Sequence, residues 1–105
     1  MVNTNVQSGI CGFVTDIEAA SEDMQNVELK ITSTCPKIKK ISEKLKKVDA
    51  YNEIKEGFNG EIYKTAQSEL NGMCSSCVVP NSIIKSMQVA AMLALPKDIS
   101  IKISK

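Results

Sequence analysis

The chain has 105 residues, 43% of them apolar, with 13 basic against 12 acidic side chains and a formal net charge of +1. That is enough chain and enough apolar residue for one domain, residues 1–105, with its own core. The near-neutral balance and 4% aromatic content argue against nucleic-acid binding, which draws on a basic surface and on stacking rings.

There is no histidine. That removes the commonest general base, the Ser/His and Cys/His nucleophile pairs, and imidazole as a metal ligand. The opening stretch, Met1 to Gly9, is polar and lacks the basic start and apolar core of a signal peptide. The longest apolar run, Val89 to Leu95, falls far short of the roughly 20 residues that span a bilayer. The chain therefore reads as cytoplasmic, with no membrane contact. In that reducing setting its four cysteines read as metal ligands or redox groups rather than structural disulfides.

Phe13, Thr15, Ile17 and Ala19 alternate with Asp16 and Glu18, and Val27, Leu29 and Ile31 alternate with Glu28 and Lys30. The polar stretch from Ser21 to Asn26 separates them, so the two runs read as a hairpin with one buried face. Pairing Ile17 with Leu29 centres its turn near Asp23 and sets Phe13 opposite Ser33 and Cys11 opposite Cys35. A slip of two residues would keep those thiols neighbours.

Thr34-Cys35-Pro36 opens a helix, with Thr34 as its N-cap and Pro36 in its first turn. Ile38, Ile41, Leu45 and Val48 recur at helical spacing among Lys37, Lys39, Lys40, Lys44, Lys46 and Lys47. The lysines read as a solvated face over a core helix. Cys35 then lies at a helix N-terminus, which favours a thiolate.

Asp49 caps a short helix, Ala50 to Glu56, that Gly57 ends; Glu61 to Leu70 is the next, stopped at Asn71-Gly72. Tyr51, Phe58 and Tyr63 read as packing residues. Pro80 starts the last helix, Asn81 to Leu95, whose apolar stripe is Ile83, Ile84, Met87, Ala91 and Leu95. Pro96 stops it, and Ile99, Ile101 and Ile103 alternate with Ser100 and Lys102 as a final strand. The fold class is α+β: a three-stranded, mainly antiparallel sheet, made of the N-terminal hairpin plus the C-terminal strand, with helices on one face.

Cys74-Ser75-Ser76-Cys77 lies just before that last helix. A two-residue gap lets both sulfurs face one ion, and it equally suits a redox dithiol. The thioredoxin arrangement wants the motif after a strand, whereas a helix and Gly72 precede it here. A zinc ribbon wants two such knuckles and the chain has one. The plainest reading makes Cys11 and Cys35 small apolar residues and the CxxC incidental. With four thiols, two of them paired across the hairpin, a shared metal site is the better expectation.

The order of these features resembles the iron–sulfur cluster assembly scaffolds of the IscU and NifU N-terminal type. Cys11-Gly12 opens a strand, Cys35 starts a lysine-rich helix, and Cys77-Val78-Val79-Pro80 precedes an apolar helix. The resemblance implies an IscU-like fold and a transient two-iron, two-sulfur cluster or zinc ion held by Cys11, Cys35 and Cys77. It also implies protein partners in cluster or metal handling. Phe13 stands where that family has the aspartate tied to cluster release, and Ser76 where it has a histidine. Leu70-Asn71-Gly72-Met73 replaces its chaperone-recognition segment, and its N-terminal helix is missing. These departures remove features tied to transfer, while the extra Cys74 supplies a fourth ligand and a more closed site. Gly9 to Phe13, Cys77 to Pro80 and Ala94 to Asp98 also look like a small uncharacterised family of methanogens and other anaerobes.

The expected function is thus a small metal-binding protein, not an enzyme, in which Cys11, Cys35, Cys74 and Cys77 hold zinc or an iron–sulfur cluster. Asp16, Glu18 and Glu22 belong to a solvent face or a turn and are not placed for acid–base work. Two alternatives stand beside it. One is a thiol–disulfide protein using Cys74 and Cys77, with Cys35 resolving. The other is an interaction module docking through the lysine-rich helix face.

Overall fold

A computed structural model describes the whole chain, Met1–Lys105. Its first strand, β1 (Val2–Gln7), is formed by opening residues whose polarity hides a period of two: Asn3, Asn5 and Gln7 are exposed while Val6 is buried. A 3-10 turn, Gly9–Cys11, leads into β2 (Val14–Ala20), which runs antiparallel to β1 from Val2↔Ala19 to Gln7↔Val14. β3 (Asn26–Ser33) pairs antiparallel with β2, and β4 (Lys47–Asp49) with the first residues of β3. The sheet is therefore four-stranded, in the order β1-β2-β3-β4.

Thr15, Ile17 and Ala19 of β2 and Val27, Leu29, Ile31 and Ser33 of β3 are buried on one face. α1 (Pro36–Lys44) packs on β3, α2 (Ala50–Glu56) follows β4, α3 (Glu61–Glu69) bridges α1 and α4, and α4 (Val79–Ala90) covers β1 and β2. The other face carries Asn5, Asp16, Lys30 and Thr32 in water. An α+β fold with its helices over one face of an antiparallel sheet is what the alternation predicts. No helix is long and apolar enough to cross a membrane.

The strand count is four, not three, and the expected C-terminal strand is not among them. Ile99, Ile101 and Ile103 are 53%, 68% and 92% exposed and pair with nothing. β1 already lies along β2, and β4 along the start of β3, so the places beside the hairpin are taken. Alternation fits a segment to be a strand without supplying an edge for it.

The hairpin register also differs. Ile17 faces Ile31 and Ala19 faces Leu29, two residues away from the expected pairing. The turn is centred on Met24, which adopts φ 62, rather than on Asp23. Asp23 Oδ1 accepts from the backbone N–H groups of Gln25 at 2.9 Å and Asn26 at 2.8 Å, and Oδ2 accepts from Asn26 Nδ2 at 2.9 Å. That Asx-type turn fixes where the chain reverses. Because the shift is by two, the buried face is unchanged.

Helix ends follow their caps. Asp49 accepts from the Asn52 N–H at 3.1 Å and Gly57 ends α2, as the sequence indicates. α1 is capped by Cys35 instead of Thr34, whose Oγ1 accepts from the Val14 N–H at 3.0 Å and closes the hairpin. Val48, expected on that helix, lies in β4. α4 begins at Val79 and stops at Ala90, well before Pro96. Met92, at φ 64, donates to Val89 O and Leu93 donates to Gln88 O, the paired bonds of a Schellman motif in which glycine is usual. Phe58 meets Tyr63 edge-on at 5.0 Å but remains largely exposed.

Candidate thiol site

Cys35 is set by its neighbours on both sides. Its backbone N–H donates to Ser33 Oγ at 3.0 Å, and Pro36 starts α1 directly after it. A half-buried thiol thus stands at the N-cap of a nine-residue helix. Cys77 has a parallel position: it follows the 3-10 turn Gly72–Ser76 and lies one residue before the N-cap of α4, Val78.

Cys11 is not opposite Cys35 on the hairpin. The chain leaves the sheet at Gly12, φ 75, and Cys11 sits exposed on the turn between β1 and β2. That turn nevertheless lies at the same end of the sheet, because β2 starts there and β3 finishes there. Cys74 is on the Gly72–Ser76 turn, and its Sγ accepts a hydrogen bond from Lys37 Nζ at 3.4 Å. Lys37 is in the first turn of α1, so this contact ties the CxxC turn to the Cys35 end.

The electrostatics of Cys77 describe the same neighbourhood. Burial pushes its thiol above the ordinary value, a hydrogen bond from the Val79 N–H opposes this, and the negative charges of Cys35, Cys11 and Cys74 each push it up further. Cys77 therefore lies within electrostatic reach of each of the other three thiols. All are free, and no three thiol or carboxylate groups come close enough together to share one ion.

Lys37 is the residue that reading the lysines as one solvated face passes over. Its signal is its position two residues after a helix-capping cysteine. Lys44 is exposed like Lys39 and Lys40 and also pairs with Glu69 of α3 at 3.1 Å.

Among protein families, the family of unknown function DUF6951 matches the chain over residues 2–103. No curated protein and no solved structure matches it.

Proposed function

We propose that this chain, which belongs to the DUF6951 family of unknown function, binds one metal centre, zinc or an iron–sulfur cluster, through Cys11, Cys35, Cys77 and Cys74. The role is holding metal, not catalysis, in a reducing compartment where thiols persist, with proteins that handle metal or clusters as partners. The observation that carries the reading is geometric: Cys35 caps α1 at the end of the sheet where the Cys11 turn lies, and the 3.4 Å contact of Lys37 Nζ with Cys74 Sγ ties the CxxC turn to that same end. Thiolates gathered in this way repel one another, and a bound cation turns that repulsion into coordination.

The donor set suits the proposed centre. Four thiolates are a standard shell for structural zinc and for iron–sulfur clusters. Cys35 and Cys77 belong to the frame of the fold at two helix starts, while Cys11 and Cys74 ride on turns with no buried residue. Coordination requires those turns to close on the frame. Gly12 at φ 75 and Gly72 at φ 59 border them, in a backbone region open to glycine. Four thiolates around a divalent cation leave excess negative charge, which the Lys37 ammonium is placed to offset.

The order of cysteines and elements supports the likeness to cluster scaffolds, and the fourth thiol favours a retained centre over a transferred one. The dithiol alternative is weaker, because the Cys74–Cys77 pair follows a helix and a 3-10 turn and not the strand of a thioredoxin-like arrangement.

The test is zinc, iron and sulfide content, with the absorption spectrum, on protein purified without oxygen, beside Cys11→Ser and Cys77→Ser. About one zinc per chain, or a visible sulfur-to-iron band, lost in both variants, supports the reading. Metal-free protein with all its cysteines titratable as thiols overturns it.

A further inference from the structure

Beyond Ala91 the chain has no regular structure, yet it is rich in exposed apolar side chains. Leu95, Ile99, Ile101 and Ile103 are 87%, 53%, 68% and 92% exposed. The three isoleucines alternate with Ser100 and Lys102, so an extended backbone from Ile99 to Ile103 has one apolar and one polar face. It is a strand without a sheet.

The sheet, in turn, has an edge without a strand. β1 lies at the end of the strand order, and its outer backbone groups have no partner in the sheet. Edge strands are ordinarily blunted by lysine, proline, bulges or shortness. Val2-Asn3-Thr4-Asn5-Val6-Gln7 has none of these: it is six residues long, uncharged, and regularly paired to β2 along its whole length. The opposite edge is different, for β4 has three residues, including exposed Lys47, and exposed Lys46 precedes it.

The inner face beside β1 is also unfinished. Val2 and Thr4 point toward the helix layer but are only half-buried. Thr4 Oγ1 meets Ser86 Oγ of α4 at 2.6 Å, and Val89, three residues further along the same flank of α4, is half-exposed. On the outer face, Asn3 and Asn5 are followed across the sheet by Glu18 and Asp16. A strand added beside β1 with its isoleucines inward would cover Val2, Thr4 and Val89. It would turn Lys102 toward the side that carries those carboxylates.

We infer that the Ile99–Ile103 segment of one copy of this chain pairs with the outer edge of β1 of a second copy. Two such contacts satisfy each other in a closed, two-fold dimer. The contact is separate from the thiols, and it forms with or without metal.

The test is the molar mass of the full chain by light scattering over a concentration series, with reductant and chelator present. The expected result is twice the 11.4 kDa of a single chain, falling by half in Ile101→Asp and in Val2→Asp. In parallel, hydrogen exchange on the unaltered protein should show residues 2–7 and 99–103 gaining protection together as concentration rises. A single-chain mass throughout overturns the inference, as does a dimer that survives Ile101→Asp. So does concentration-independent protection of the tail, which would mean pairing within its own chain. Protection gained by the tail without β1 places the contact elsewhere and also overturns it.

Discussion

Ser33 Oγ accepts the backbone N–H of Cys35 at 3.0 Å while lying 2.8 Å from Thr15 Oγ1 in the buried face between β2 and β3. One hydroxyl thus completes a polar pair inside the core and fixes the capping residue of α1. Ser33→Ala leaves the Thr15 hydroxyl and the Cys35 N–H without their partner and should cost about 1–3 kcal/mol. Urea unfolding measures this. Adding Thr15→Val should recover part of the loss, since replacing both members of a buried pair is cheaper than orphaning one.

Glu53 supports α3 from a distance. It is 2% exposed, and its carboxylate accepts the N–H groups of Glu61 at 3.0 Å and Ile62 at 2.8 Å, two of the donors a helix start leaves unpaired. Glu53→Ala should cost about 3 kcal/mol. A Cβ at Gly60 would lie 2.9 Å from Glu53 Oε1. The carboxylate is pinned by its two bonds, so Gly60→Ala should destabilise as well, and far less in a Glu53→Ala background. Thermal unfolding of the four proteins checks the coupling.

The hairpin turn carries a pH dependence. Hydrogen bonds from Asn26 and Gln25 hold the Asp23 carboxyl well below the usual carboxylate range. A folded-state value below the unfolded one, about 3.9, means that the stabilisation is present above the unfolded pKa. It is lost as pH falls through the folded value. Asp23→Ala should therefore be less stable than the parent at neutral pH, with the gap narrowing only in strong acid. Carbon NMR of the Asp23 carboxyl should show no titration near pH 4.

In metal-free protein the thiols should alkylate unequally. Cys11 is exposed, while Cys77 is half-buried and its thiol is raised, so little of it is thiolate at pH 7. Iodoacetamide with mass-spectrometric mapping should modify Cys11 first and Cys77 much later, with the Cys77 rate still climbing above pH 9. Equal rates would mean that Cys77 is not shielded as described.

On the metal-centre reading, Lys37 is a supporting group whose loss should weaken binding without abolishing it. Lys37→Met should lower zinc affinity about 10–100-fold, the range typical of groups that support metal ligands. Competition against a chromophoric chelator reads this directly. An unchanged affinity would reduce the Lys37–Cys74 contact to a surface hydrogen bond.

Local chemistry was the legible part of the sequence. Asp49 and Gly57 mark both ends of α2 because caps act over three or four residues. The inward set of β2 and β3 is legible for a similar reason: alternation survives a register shift of two. Relations between distant segments were not. Val2, Thr4 and Val6 have the same period as β2, but with two valines among polar residues the signal is faint. Ile99 to Ile103 has a stronger signal yet pairs with nothing in its own chain. The four cysteines were all visible as candidates, whereas their nearness depends on how α4 lies over β1 and β2, which no local pattern encodes. The placing of Lys37 depends on that too.

The two turns that carry Cys11 and Cys74 bury none of their residues, whereas Ile17 and Val27 in the core are fully enclosed. Opening therefore costs different amounts in different parts of the molecule. Amide exchange at residues 9–12 and 72–77 should run orders of magnitude faster than at Ile17 or Ile31, by excursions that leave the sheet untouched. On the metal-centre reading, the thiol end opens, admits an ion and closes again within a domain that never unfolds to do so.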